Sequence, residues 1–206
     1  MNSNQLHPAS NHPKQPAYCG RNDFAGFTLV ELLVTISIAA ILLSVAVPSF
    51  QDFFRNSRLA SQSNDLLASL ALSRSEAIRR GGRVTLCPRD PAEATPTCKA
   101  DGNWADGWIV FADIQDGRSG RAGATGTING NDVVIRVVNG LPTGSTLGSG
   151  DSFDSWLTFG AYGAGIGSDG DADGTADSTF TLCYSGQSRV ITVLPSGATR
   201  VTQGTC

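Results

Sequence analysis

From Phe27 to Phe50 the chain is apolar almost without interruption, and its one charge, Glu31, stands close to the start of the run. Roughly 20 helical residues cross a hydrocarbon core, so the stretch is long enough to span a bilayer. After Pro48 the pattern becomes one-sided: Leu59, Leu66, Leu70 and Ala77 recur at spacings that share a helical face, while Arg55, Arg58, Arg74 and Glu76 fall largely elsewhere. Gly81-Gly82 supplies a stop. The spacing predicts one helix from Phe27 to about Arg80, its first half in a membrane or a filament core and its second half packed under a head.

Beyond Arg83 the apolar period drops from 3.6 to two. Strands are predicted at 83–87, 108–112, 133–138, 155–161, 178–184, 188–194 and 199–203, separated by turns rich in glycine, proline and aspartate. Many short strands in succession make an antiparallel head, and the fold class is therefore α+β. In Trp108-Ile109-Val110-Phe111 apolar side chains occupy both faces, which predicts a central strand packed against the helix.

Glu31 is the costly residue in this pattern. A charge within a span costs about 2.5 to 3.5 kcal/mol on insertion scales, so a carboxylate held there calls for a partner at the same depth. A secretory signal does not account for it: such a signal has an apolar region of only about 7 to 15 residues and is cut on its far side. Residues 1–26 are polar and proline-containing, with Lys14 and Arg21 ahead of the span. They cannot bury a core and are predicted to be a disordered leader, whose positive charge keeps that end cytoplasmic.

Gly26, Phe27 and Glu31, with Thr28-Leu29-Val30, Leu32-Leu33 and Pro48, resemble the class III signal of type IV pilins and pseudopilins. The resemblance implies cleavage by a prepilin peptidase after Gly26, methylation of the new N-terminus at Phe27, and a helix kink at Pro48. It also implies an assembly role for Glu31, which would pair with the free amine of a neighbouring subunit. The mature chain would have 206 − 26 = 180 residues. The long helix followed by an all-strand head, with Gly107 to Phe111 and Thr179 to Cys183, is similar to the GspH/FimT branch of minor pilins and pseudopilins, and so implies the type IV pilin fold. The implied organisation is a leader at 1–26, a transmembrane or filament-core helix at 27–50, the amphipathic half of the helix at 51–82, and a periplasmic strand head at 83–206. The implied partners are other major and minor pilins or pseudopilins, prepilin peptidase, the inner-membrane assembly platform and membrane lipid. Within this branch three roles stay open: a minor pilin that primes or caps a type IV pilus, a minor subunit of a type II secretion pseudopilus, and a DNA-binding pilin for natural transformation. The paired cysteines, and the cysteine at the very C-terminus, look more like the pilus members.

With Cys19 in the leader, four cysteines remain, and an even set in an exported domain predicts two disulfides. Four cysteines allow three connectivities. Cys87 with Cys98 and Cys183 with Cys206 is favoured, because each pair closes a local loop and the second pins the C-terminus. Each closure is worth about 3 kcal/mol in the chain-entropy model.

Two features of the head suggest further chemistry. Asp169, Asp171, Asp173 and Asp177, with Gly174, follow the spacing of a calcium loop, whereas position 12 of that loop is Phe180 and lacks the closing carboxylate. The alternative is a solvated acidic hairpin. The second is DNA: some members of the resembled branch grip phosphates through a C-terminal Gly-Arg-x-Arg segment, matched here by Gly197-Ala198-Thr199-Arg200 with Arg189 as a strand neighbour. The first arginine of that motif is absent. The formal charge also runs against it: the chain carries −3, and loss of Lys14, Arg21 and Asp23 leaves −3 − 1 = −4. A second basic group, Arg74, Arg79, Arg80, Arg83 and Arg89, gathers near the helix end, where positive charge suits the macrodipole.

An enzyme is not expected. Both histidines, His7 and His12, lie in the leader, which leaves the mature chain without an imidazole for base catalysis or zinc. The aspartates cluster in glycine-rich turns without apolar walls to shift a pKa.

Overall fold

The computed structural model describes residues 26–99, 103–114, 128–168 and 178–206. It divides into two units, Met1–Ala46 and Val47–Cys206. Helix α1 covers Leu29–Arg80. Thr28 caps it: the Thr28 hydroxyl accepts from the Glu31 N–H at 3.2 Å, which satisfies one of the donors a helix start leaves unpaired. At the far end Gly81 takes a φ of +61°. The Gly82 N–H then reaches the Ala77 carbonyl and the Gly81 N–H that of Ile78, the paired bonds of a Schellman stop.

The strands are β1 (Arg83–Pro88), β2 (Gly107–Asp113), β3 (Val133–Asn139), β4 (Ser145–Ser149), β5 (Leu157–Phe159), β6 (Gly165–Gly167), β7 (Thr179–Tyr184), β8 (Gln187–Val193) and β9 (Thr199–Thr205). They form two sheets, ordered β3-β2-β1-β5-β6 and β4-β7-β8-β9. All pairings are antiparallel. Two strands lie where the sequence pattern predicts none. β4 (Ser-Thr-Leu-Gly-Ser) and β6 (Gly-Ile-Gly) have one apolar residue each, too few to show a period, and are recruited by the neighbours they pair with. The segment expected at 155–161 shortens to β5, because Gly160 already belongs to the turn whose N–H bonds the Ala164 carbonyl.

Within residues 47–206 the core forms between α1 and both sheets. The four helix positions picked out by spacing, Leu59, Leu66, Leu70 and Ala77, are all buried. They pack with Val84, Leu86, Trp108, Val110 and Phe159 of the first sheet and with Leu147, Phe180, Leu182, Ile191 and Val193 of the second. The opposite face of β1 and β2 is also covered: Cys87, Ile109 and Phe111 cluster with Cys98, Ile128 and Trp156. Burial on both faces explains why β2 reads as a continuous apolar run.

Polar groups inside this core are answered in place, as burial requires. Trp104 Nε1 donates to the Phe153 carbonyl at 3.0 Å and Trp108 Nε1 to Ser69 Oγ at 2.9 Å. The hydroxyls of Thr85 and Thr158 pair across β1 and β5 at 2.7 Å. Cys87 is bonded to Cys98 and Cys183 to Cys206, with Cα separations of 5.5 and 6.0 Å.

Candidate assembly site

Of α1's apolar residues, Leu29, Val30, Leu32, Leu33, Ile36, Ile41 and Leu42 are each at least half exposed. An 18-residue window of this helix has a mean hydropathy of 2.5, and none of it is buried within the chain. Such a surface is stable only in lipid or against other apolar helices. Its hydroxyls need no outside partner: Thr35, Ser37 and Ser44 donate to the carbonyls of Leu32, Leu33 and Ile41 at 2.7 to 2.8 Å. Glu31 is different. It lies exposed in the first turn, with no side-chain partner among the described residues. A negative charge in the first turn suits the helix dipole, but that does not remove the cost of carrying it into hydrocarbon. Gly26 and Phe27 lie just outside the cap, and Phe27 is 83% exposed. The segment is thus an apolar helix with one unanswered carboxylate near its start.

The head separates residues that the sequence set side by side. In the β8–β9 register Arg189 faces Gln203 and Arg200 faces Thr192. An odd offset puts the two arginines on opposite faces of the sheet, so they do not form one phosphate grip. Gly197 has a conformational reason to be glycine: its φ is +75°, and a Cβ there would collide with the Gly163 carbonyl oxygen. Arg74 donates to that same carbonyl at 3.2 Å. The other helix-end arginines are likewise engaged. Arg79 and Arg80 share Glu76, Arg83 pairs with Asp113 across β1 and β2, and Arg89 donates to Asn139. The Glu76 carboxyl is accordingly held down at about 2 by its hydrogen bonds to Arg79 and then Arg80. Burial pushes Asp113 the other way, upward, and Arg83 offsets part of that.

The calcium-loop residues Asp169, Asp171, Asp173 and Asp177 lie outside the described residues. Among the described residues no group of three or more histidines, cysteines or carboxylates is placed to hold a metal ion.

One cluster escapes sequence reasoning. Arg58 Nη1 donates to the Tyr184 hydroxyl at 2.8 Å, and its guanidinium lies 4.8 Å from the centre of the same ring. The apolar period places Arg58 only on the polar side of α1. The contact spans 126 positions and depends on a strand register that no local pattern reveals.

Comparison with known proteins agrees with these features. Residues 62–197 match the family model described as type II transport protein GspH, and residues 21–47 match the prokaryotic N-terminal methylation motif. A 43-residue stretch is 42% identical to the type IV major alpha-pilin of Moraxella bovis, covering 21% of this chain and 27% of that protein. The chain thus spans about a quarter of the length of that relative. Two crystal forms of the Pseudomonas aeruginosa type IV minor pilin FimU align over 70% and 73% of this chain and 92% of theirs. Their identities are 19% and 20%, and their TM-scores 0.43 and 0.45. With the family model matching most of the chain and the methylation motif lying over its apolar helix, this protein belongs to the GspH/FimT family of type IV minor pilins and pseudopilins.

Proposed function

We propose that this protein is a minor type IV pilin that is held in the inner membrane by residues 27–50 and takes part in priming or capping pilus assembly. Prepilin peptidase removes residues 1–26 after Gly26, and Phe27 becomes the methylated N-terminus. The head then lies in the periplasm. The observation that carries this reading is the exposed apolar first half of α1 with a single unanswered carboxylate in its first turn. On assembly the apolar segments of neighbouring subunits bury one another, and Glu31 meets a neighbour's free amine. Pro48 removes one backbone hydrogen bond donor from the helix and so provides a place to bend. The protein acts as a structural subunit, without catalysis of its own.

The test is the amount of pilus sheared from cells lacking the gene, compared with wild type and a complemented strain. A large loss restored by complementation supports priming or capping. Unchanged pili exclude it. The description of the matching family model favours a second reading, a minor subunit of a type II secretion pseudopilus; normal pili with lost protein secretion would select it. A DNA-uptake role draws less support, because Arg189 and Arg200 stand on opposite faces.

A further inference from the structure

Just past the apolar stretch, α1 and β7 enclose an open groove lined by Gln51, Phe54, Arg55, Arg58, Ser61 and Tyr184. Among the described residues no carboxylate lines it. Arg55 has one weak carboxylate partner among the described residues, the exposed Asp52 at 3.4 Å, and Arg58 has none. Arg58 is nonetheless fixed, by the hydroxyl and the ring face of Tyr184. Tyr184 is itself fixed. It adjoins Cys183, which is bonded to Cys206, and it opens the two-residue turn through Ser185 and Gly186, both at positive φ. A guanidinium held in place, without a counter-charge, is an anion site whose ordering cost is already met.

The surroundings indicate which anion. Phe50, Phe53 and Phe54 are 61–66% exposed, and Phe53 and Phe54 meet edge to face. Aromatic rings gather where hydrocarbon gives way to headgroups, and arginine beside them reaches phosphate. Arg58 follows Phe54, the last of these rings, by four residues, which on an α-helix is roughly 6 Å of rise, within the about 5 to 8 Å that the headgroups occupy on one side of a bilayer.

We infer that this groove binds the phosphate of an anionic phospholipid, with Arg58 as the fixed ligand, Arg55 as the second cation, and Gln51 and Ser61 as neutral donors. The inference rests on the membrane-anchor reading above. In the membrane-held subunit the bound headgroup sets how far α1 sinks, and it must be released when the subunit enters a filament.

The test uses the full chain in mild detergent, with phosphatidylglycerol added and retained lipid counted by native mass spectrometry. Wild type should keep one phosphatidylglycerol, and Arg58→Gln with Arg55→Gln should lower that retention on the order of tenfold. Tyr184→Phe, which keeps the ring and frees Arg58 from the hydroxyl, should give a smaller loss, and it serves as the reporter if the arginine variants fail to fold. Soluble glycerol 3-phosphate at the same concentration should leave no adduct, because it lacks the acyl chains that lie along Phe50 and Phe54. Equal phosphatidylglycerol retention by wild type and the folded variants overturns the site. Arginine-dependent binding of a short single-stranded DNA, with no lipid retained, also overturns it. Flotation with liposomes separates the two readings. Failure of both wild type and variants to float removes the anchor, and the site with it. Equal flotation with equal lipid retention removes the site alone.

Discussion

The indole nitrogen of Trp108 donates to the hydroxyl of Ser69 at 2.9 Å, joining the interior strand β2, one place from the centre of its sheet, to α1 where both residues are fully buried. Ser69 in turn donates to the Asp65 carbonyl, so its hydroxyl is used twice. Replacing it with alanine leaves a buried N–H without an acceptor, at a cost of about 1–3 kcal/mol. Ser69→Ala should therefore lower the urea midpoint, and Trp108→Phe should cost less in the Ser69→Ala background than in wild type. A double-mutant cycle showing no coupling would contradict this link.

Gly163 and Gly197 bring two turns together against α1, both at positive φ. Gly197→Ala meets backbone strain and a clash with the Gly163 carbonyl, whereas Gly186→Ala, at a φ of +82° with open space around it, meets strain alone. Strain of this kind costs on the order of 1–3 kcal/mol. Gly197→Ala should destabilise more than Gly186→Ala in matched thermal melts. Equal losses would show that the close approach contributes nothing.

The two disulfides differ in access. Cys87 is fully buried under the first sheet, while Cys206 is exposed beyond β9, a strand with no buried side chain. Graded reduction followed by alkylation and mass spectrometry should label Cys183 and Cys206 first. Loss of that bond should raise hydrogen exchange along β9 while leaving β1 protected. Labelling that starts at Cys87 and Cys98 would contradict the assignment.

Acid stability should depend on Glu76. Its carboxyl is held at about 2 in the folded chain against an ordinary 4.5, so its contribution is present above 4.5 and is lost as the pH falls toward 2. Asp113 has the opposite sign: its pKa is raised by burial, so its ionisation as pH rises above its ordinary value of 3.8 costs stability. Glu76→Gln should flatten the fall in Tm between pH 4.5 and 2. An unchanged slope would mean that the Arg79 and Arg80 contacts contribute nothing in solution.

Much of the fold is legible in local pattern. Leu59, Leu66, Leu70 and Ala77 declare the buried helix face by spacing, Gly81-Gly82 declares its end, and the unbroken apolar run of β2 declares a strand covered on both sides. What stayed hidden depends on pairing at a distance. Ser-Thr-Leu-Gly-Ser becomes a strand only because β7 lies beside it. Arg189 and Arg200 look like neighbours until the register puts them on opposite faces. Arg58 looks like an ordinary polar-face residue until Tyr184 arrives over it. Gly26, Phe27 and Glu31 stand in order at one helix start, so the expectation placed on them draws on local sequence alone.

The most direct measurement is the N-terminus and the cellular location of the chain, taken together by mass spectrometry on membrane and sheared-filament fractions from cells expressing wild type, Gly26→Val or Glu31→Ala. Assembly through Glu31 predicts that wild type begins at methylated Phe27 and reaches filaments. It predicts that Gly26→Val stays as full precursor in the membrane, and that Glu31→Ala is cut yet left out of filaments. A Glu31→Ala chain that enters filaments as well as wild type, or a Gly26→Val chain processed normally, would contradict it.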